Sequence, residues 1–267
     1  MKRWRNTLQP YTRWCWKTPR LCRPDAQAFE NDCQLTNATL QGDSPHTSSA
    51  STIPTQIFIQ GTPRWKRAMD ITLSLGLLLA LLPLLLLIAL FIRAVSPGPI
   101  IFKQARTGYG GRSFTIWKFR TMHVDTDTRI HQTQVSHEIH AQCPLTKLDT
   151  YGDPRIIPFG HILRQTGLDE LPQLFNVLHG DMSLIGPRPD PVYAAQLYQP
   201  WHAERLHVRP GITGLWQVSG KNTTTFEEMV RLDIAYIRRQ SLWLDLKIAL
   251  LTIPAIWKQV KDFWSHR

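Results

Sequence analysis

The sequence predicts an α/β fold that is mostly helical, with a hydrophobic helix near the N-terminal side, short strands, and amphipathic helices suited to a membrane interface. Three patterns carry this. Residues 71–92 run for about 22 positions without a charge, enough for a membrane-length helix at about 1.5 Å per residue. Apolar residues recur at helical spacing after residues 170 and 225. Two short strand-like segments, 100–106 and 114–122, flank a Gly-rich turn. A chain of 267 residues can hold one or two domains and bury a real core.

Residues 1–62 form a polar arm rich in Thr, Ser, Gln, Asn and Pro. They show no helical or strand period, so disorder is expected. The arm starts basic, but no apolar stretch of signal-peptide length follows. Residues 63–98 hold the hydrophobic helix. Arg64, Lys66 and Arg67 precede the uncharged run while Arg93, Lys103 and Arg106 follow it, so neither end reads as translocated. Pro83, near its middle, removes a backbone donor and should bend the helix. Two forms stay open from the residues alone: a re-entrant segment that returns to the same leaflet, and a kinked span. Ser96-Pro97-Gly98-Pro99 stops the helix.

Residues 99–267 make up the remaining domain. Ile100–Arg106 and Phe114–Met122 read as the strands of a hairpin around Gly108–Arg112, with Lys118 and Arg120 on one face. Those two cations are either a solvated edge or one wall of an anion site. His123, His131, His137 and His140, with Asp125 and Asp127, lie in a polar stretch without a zinc-like spacing, and a solvated loop is expected. Thr225 and Glu228 form a capping-box pattern. Behind it Phe226, Met229, Val230, Asp233 and Ile237 share one helical face. An acid on a buried face must be paired, usually with Arg, or serve a site. Leu242–Trp264 carries Trp243, Trp257 and Trp264 among Leu and Ile, with Lys247, Lys258 and Lys261 elsewhere. It reads as interfacial helices broken at Pro254.

The most informative stretch is Leu168–Leu178 followed by Gly180–Pro189. Leu171, Leu174, Phe175 and Leu178 mark one helical face, and Pro172 belongs in a first turn, which places Asp169 at or near the N-cap. There the helix dipole favours an ionised carboxylate, a candidate nucleophile. Taken alone, Asp169 is a cap and Glu170 a solvated first-turn acid. Gly186-Pro187-Arg188-Pro189 argues for more, because two prolines fix the backbone around one arginine whose fork suits a phosphate. A net charge of +11 with ten tryptophans points to an anionic partner, and the apolar run favours anionic lipid over nucleic acid. Cys15, Cys22, Cys33 and Cys143 show no paired framework, as in a reducing compartment.

Together these residues resemble the bacterial sugar transferases, membrane-associated polyprenyl-phosphate phosphoglycosyl transferases. The resemblance runs from about Lys66 to Lys258 and is carried by Lys118-Phe119-Arg120-Thr121-Met122, Leu168–Leu178, Gly180–Pro189 and Arg209–Val218. It implies a small catalytic domain at the cytoplasmic face of the bacterial inner membrane. The implied reaction moves a sugar 1-phosphate from a UDP-sugar to undecaprenyl phosphate with release of UMP and with Mg2+ as cofactor. By the same resemblance Asp169 is the nucleophile and a metal ligand, and Glu170 assists the acceptor as general base. Lys118, Arg188 and Lys221 bind substrate phosphates, and Asp233 orients a cation or a substrate group. The re-entrant form of the hydrophobic helix is also implied.

The longer members carry extra membrane helices and a nucleotide-fold domain ahead of this region, where this chain has its polar arm, as in a minimal catalytic form. Two departures stand out. The family's Ser-Pro break is Leu82-Pro83 here, and its Gly-Arg-Asn is Gly220-Lys221-Asn222, which turns a bidentate contact into a point charge. The Leu215–Gly220 segment resembles members that use UDP-glucose or UDP-galactose. Membrane lipids are expected partners and nucleic acid is not; a second copy of the chain or polysaccharide-assembly proteins stay open. The rival reading, a catalytically silent scaffold, predicts loss of Asp169, Glu170 or Arg188, and all three are present.

Overall fold

The computed structural model describes residues 61–124, 129–141, 144–145, 153–221 and 224–265. The expectations for residues 1–60, for Asp125 and Asp127, and for the four cysteines lie outside these residues.

Helix α1 (Arg64–Val95) is one continuous helix of 32 residues that runs through Pro83. It is long and apolar enough to cross a membrane. Its buried residues, Lys66, Asp70, Ser74, Leu78, Leu85, Ile88 and Ile92, fall on one narrow stripe at spacings of three, four and seven, while Leu79, Leu86, Leu87 and Leu90 are exposed. Leu85, Ile88 and Ile92 pack with Phe119, Ile157, Leu163 and Leu174. The first turns are polar yet buried. Lys66 Nζ donates to Asp245 Oδ2 at 2.6 Å, and Asp70 Oδ1 accepts from Ser183 Oγ and Leu184 N at 3.0 Å each. The cations before the apolar run therefore include one that is wholly internal.

Strands β1 (Ile101–Thr107) and β2 (Ser113–Phe119) form the expected antiparallel hairpin, with Phe102 opposite Lys118 and Arg106 opposite Phe114. β2 ends three residues sooner than the alternation suggested. The reason is Arg120, whose guanidinium turns away to donate to the carbonyls of Ser96 and Pro97, both at 2.8 Å. Arg120 thus ties the end of α1 to the hairpin and forms no wall of an anion site with Lys118.

The expected histidine-rich loop is instead helix α2 (Arg129–Ala141), held by Ile139 in a core with Trp216, Met229 and Val230. Helix α3 (Gly160–Thr166) leads into a 3-10 turn, Leu168–Glu170, and then α4 (Gln173–His179). Strand β3 (Ser183–Ile185) follows, then the short helix α5 (Val192–Ala195) and a 3-10 segment, Pro200–His207. Strand β4 (Gly211–Thr213) pairs in parallel with β3. That approach requires glycine: a Cβ on Gly211 would lie 2.1 Å from the Gly186 nitrogen and 2.5 Å from the Thr213 carbonyl oxygen.

Helix α6 (Leu215–Ser219) precedes α7 (Phe226–Arg239), where the capping box forms as expected: Thr225 Oγ1 accepts from Glu228 N, and Glu228 Oε2 accepts from Thr225 N. Phe226, Met229, Val230, Asp233 and Ile237 are all buried. Helix α8 (Leu242–Ser265) runs through Pro254 without the predicted break, since a proline costs a helix one internal hydrogen bond that packing elsewhere can offset. Trp243, Leu246, Leu250, Ile253 and Trp257 form an exposed apolar stripe along it, with Trp243 81% exposed. Near its far end Gln259 Nε2 donates to the Gln165 carbonyl at 2.8 Å, which pins α8 to the helix that delivers the 168–170 turn.

Candidate active site

Gly167, at φ +73°, lets the chain leave α3 and turn at once into Leu168–Glu170. Asp169 is therefore the middle residue of a 3-10 turn. The N-cap position of α4 belongs to Pro172, so Asp169 is not the cap that the helical spacing suggested. The face of α4 is also rotated from the expected one: Gln173, Leu174, Asn176 and Val177 are buried while Phe175 is exposed. Asn176 causes this. Its Nδ2 donates to the Thr115 carbonyl at 2.7 Å and its Oδ1 accepts from Trp117 N at 3.1 Å, which fixes α4 against the open edge of β2. The turn is thereby presented to the hairpin face that carries Lys118.

Glu170 is the centre of the cluster. Its Oε1 accepts from Lys118 Nζ at 2.7 Å and from Arg188 Nη2 at 2.9 Å. Burial by itself would push the Glu170 carboxyl up; Arg188, Lys118 and then Lys221 outweigh it and hold it well below the usual carboxylate range. In turn Glu170 raises Arg188 above its ordinary value, while burial lowers Lys118 despite Glu170 and Asp169. Asp169, only 7% exposed, belongs to the same electrostatic group, because its charge acts on both Lys118 and Arg188. Five of the six expected site residues, Asp169, Glu170, Lys118, Arg188 and Lys221, are thus brought together.

Asp233 is placed differently. It is 2% exposed and lies behind the cluster, where Arg205 Nη2 donates to its Oδ2 at 2.6 Å. Arg205 also donates to Asp190 and Tyr198 Oη, and to the carbonyl of Arg188 at 2.9 Å. Asp233 is therefore linked to the Arg188 loop through Arg205, and its carboxylate faces that arginine instead of the cluster. Burial pushes its carboxyl up to about 6 against the pull of Arg205, so it is ionised at neutral pH.

The loop bearing Arg188 is tied at four successive carbonyls. Pro187 O accepts from Gly211 N, Arg188 O from Arg205, Pro189 O from Arg106, and Asp190 O from Thr107 N. Arg205 and Arg106, which brace this loop, do not stand out in the sequence. Arg205 sits in a segment without a usable period, and Arg106 reads there as a flanking charge. Arg106 follows the strand alternation that puts it on the Lys118 face, which was the available signal.

The arrangement can bind and position a phosphorylated ligand beside two carboxylates. Among the described residues no group of three or more acidic, His or Cys side chains could cage a metal by itself. Mg2+ characteristically takes one or two protein carboxylates and completes its shell with water and substrate phosphates, and Asp169 fits that mode.

The family model described as bacterial sugar transferase matches residues 62–259. A galactosyl transferase from Streptococcus agalactiae is 46% identical over 160 residues, which cover 60% of this chain and 35% of that protein. A UDP-glucose:undecaprenyl-phosphate glucose-1-phosphate transferase from Caulobacter vibrioides is 45% identical over 202 residues, covering 72% of this chain and 69% of the relative. An exopolysaccharide production protein from Sinorhizobium fredii is 37% identical over 191 residues, covering 72% and 84%. The chain thus spans about a third of the first relative and most of the other two. With the match running through the apolar helix, the 168–170 turn and the Arg188 loop, the chain belongs to the bacterial sugar transferase family.

Proposed function

We propose that this protein transfers a hexose 1-phosphate from a UDP-sugar to undecaprenyl phosphate and releases UMP, an initiating step of exopolysaccharide or O-antigen-type glycan assembly. The observation that supports it is the buried Asp169 and the half-buried Glu170 beside it, set against Lys118, Arg188 and Lys221. Phosphoryl transfer asks a protein chiefly for positioning and charge neutralisation, and this cluster supplies both.

An Asp169 carboxylate oxygen attacks the sugar-bearing phosphorus, and the bond from that phosphorus to the bridging oxygen breaks with its electrons leaving on UMP. A phosphate oxygen of the lipid then attacks the same phosphorus and displaces the aspartate, which returns to its carboxylate form. Asp169 is the residue that would hold Mg2+, which would supply further neutralisation of the donor charge. Glu170 is too strongly stabilised as an anion to act as a base while Lys118 and Arg188 rest on it. Donor phosphates that take over those two cations let its pKa climb, so that it can accept the proton of the incoming lipid phosphate. The glucose or galactose preference rests on relatives whose names specify glucose 1-phosphate or galactosyl transfer.

The acceptor is a lipid, so the site belongs at a membrane face. The exposed leucines of α1 and the exposed tryptophan stripe of α8 support membrane association. The basic residues on both sides of the apolar run support an α1 with both ends at the cytoplasmic face of the inner membrane, as in a re-entrant segment. Cysteine labelling from the periplasmic side should reach positions near neither Arg64 nor Ser96, whereas labelling at one end alone means a span.

The chemistry is tested by incubating the enzyme with UDP-glucose and Mg2+ but no lipid. A peptide containing Asp169 should gain one hexose-phosphate mass, and Asp169→Asn should abolish both adduct and turnover. An adduct on another residue, or substantial turnover by Asp169→Asn, refutes the assignment.

A further inference from the structure

Arg106 differs from Lys118, Arg188 and Arg205 in what it touches. Lys118 and Arg188 rest on Glu170, and Arg205 rests on Asp190 and Asp233. Arg106 donates to two neutral acceptors, Gln104 Oε1 at 2.6 Å and the Pro189 carbonyl at 3.2 Å, and its Nε is buried without a hydrogen-bond partner. It makes no ion pair with a carboxylate of the described residues. Burial, and then the nearby Arg188 charge, lower its pKa to about 10, so it remains a cation at neutral pH. A guanidinium in such a place is costly to keep. A neutral donor would suffice to hold the Pro189 carbonyl, so bracing alone does not account for the charge.

Its position supplies a reason. In the hairpin register Arg106 and Lys118 lie on one face, and the Pro189 carbonyl that Arg106 holds is the next after that of Arg188. Arg106, Lys118, Arg188 and Lys221 all interact electrostatically with Glu170, so four cations converge on this one carboxylate. A diphosphate diester brings negative charge of the kind that such a group can share.

We infer that Arg106 is a further substrate-binding residue, whose guanidinium takes a non-bridging oxygen of the donor diphosphate. The inference rests on the proposed reaction for the identity of the ligand. Lys118 and Arg188 must give up Glu170 before they can turn to a phosphate, whereas Arg106 has no carboxylate to release. It therefore contributes mainly to capture of the donor, and its loss should show in KM more than in kcat.

The test uses the full chain in lipid nanodiscs, with the parent, Arg106→Gln and Arg106→Lys. UMP release is measured against UDP-glucose concentration, and thermal stabilisation by UDP is measured separately. Arg106→Gln should raise KM about tenfold or more with kcat within about threefold, and should lose the UDP-induced rise in melting temperature. Arg106→Lys should fall between, since it keeps the charge but not the fork. A KM within about twofold of the parent, or an unchanged UDP-induced shift, overturns the inference. Should Arg106→Gln fail to fold, the same criteria applied to Arg106→Lys decide. A parent stabilised by UDP through Arg106 that releases no UMP from any UDP-hexose overturns the proposed reaction and leaves the Arg106 contact standing.

Discussion

Replacing Asp233 separates a brace from a substrate contact. The Asp233–Arg205 pair is buried on both sides, with side-chain exposures of 2% and 1%. Breaking a buried pair by removing one partner ordinarily costs about 3–5 kcal/mol. Arg205 would keep Asp190, Tyr198 and the Arg188 carbonyl, so Asp233→Ala should fall at the lower end, about 3 kcal/mol. In a domain of this size that is a melting temperature lower by about 6–12 °C. Asp233→Asn retains an acceptor for Arg205 and should lose about 1–2 kcal/mol. The assay is thermal unfolding in nanodiscs alongside UMP-release kinetics. Both variants should lose stability in that order, with KM for the donor rising less than about tenfold because the Arg188 side chain is untouched. If Asp233→Ala melts within about 2 °C of the parent yet raises KM tenfold or more, the brace is wrong and Asp233 touches substrate.

Asn176→Ala strips partners from Trp117 N and Thr115 O at the edge of β2, and denaturant unfolding should show a loss of about 2–4 kcal/mol. Gly211→Ala places a methyl group 2.1 Å from the Gly186 nitrogen, and a solubility assay should find little folded protein. The Glu170 carboxyl lies well below its ordinary range when folded, so its stabilising contribution is present above that range and lost as pH falls through the folded value. A melting series from neutral to about pH 3 should therefore show a steeper acid loss in the parent than in Glu170→Gln, and parallel curves would contradict the ion pairing.

Much of the fold was legible because local pattern and tertiary demand coincide. The hairpin has alternation and a glycine turn, and α7 has both a capping box and a buried face that is apolar but for Asp233 and Tyr236. Where they diverge, the reading failed for identifiable reasons. Helix α2 is anchored by few apolar side chains, so no period announces it. In α4 a buried asparagine sets the rotation, and polarity alone would have faced it outward. The carboxylate pair and Arg188 stood out by their motifs. Arg205 and Arg106 did not, because their importance lies in which carbonyls of a distant loop they hold, and only the folded chain brings those together.

The internal lysine at the start of α1 has a bearing on handling the protein. Lys66 donates to Asp245 Oδ2, whose other oxygen accepts from Tyr236 Oη at 2.8 Å. Trimming the chain before residue 100 to obtain a water-soluble domain would therefore do more than expose leucines. It would strand a carboxylate in the interior and strip Ser183 and Leu184 of Asp70. A useful soluble variant would need Asp245 replaced by a neutral residue and a new acceptor supplied for β3, so the anchor and the catalyst would have to be redesigned as one object.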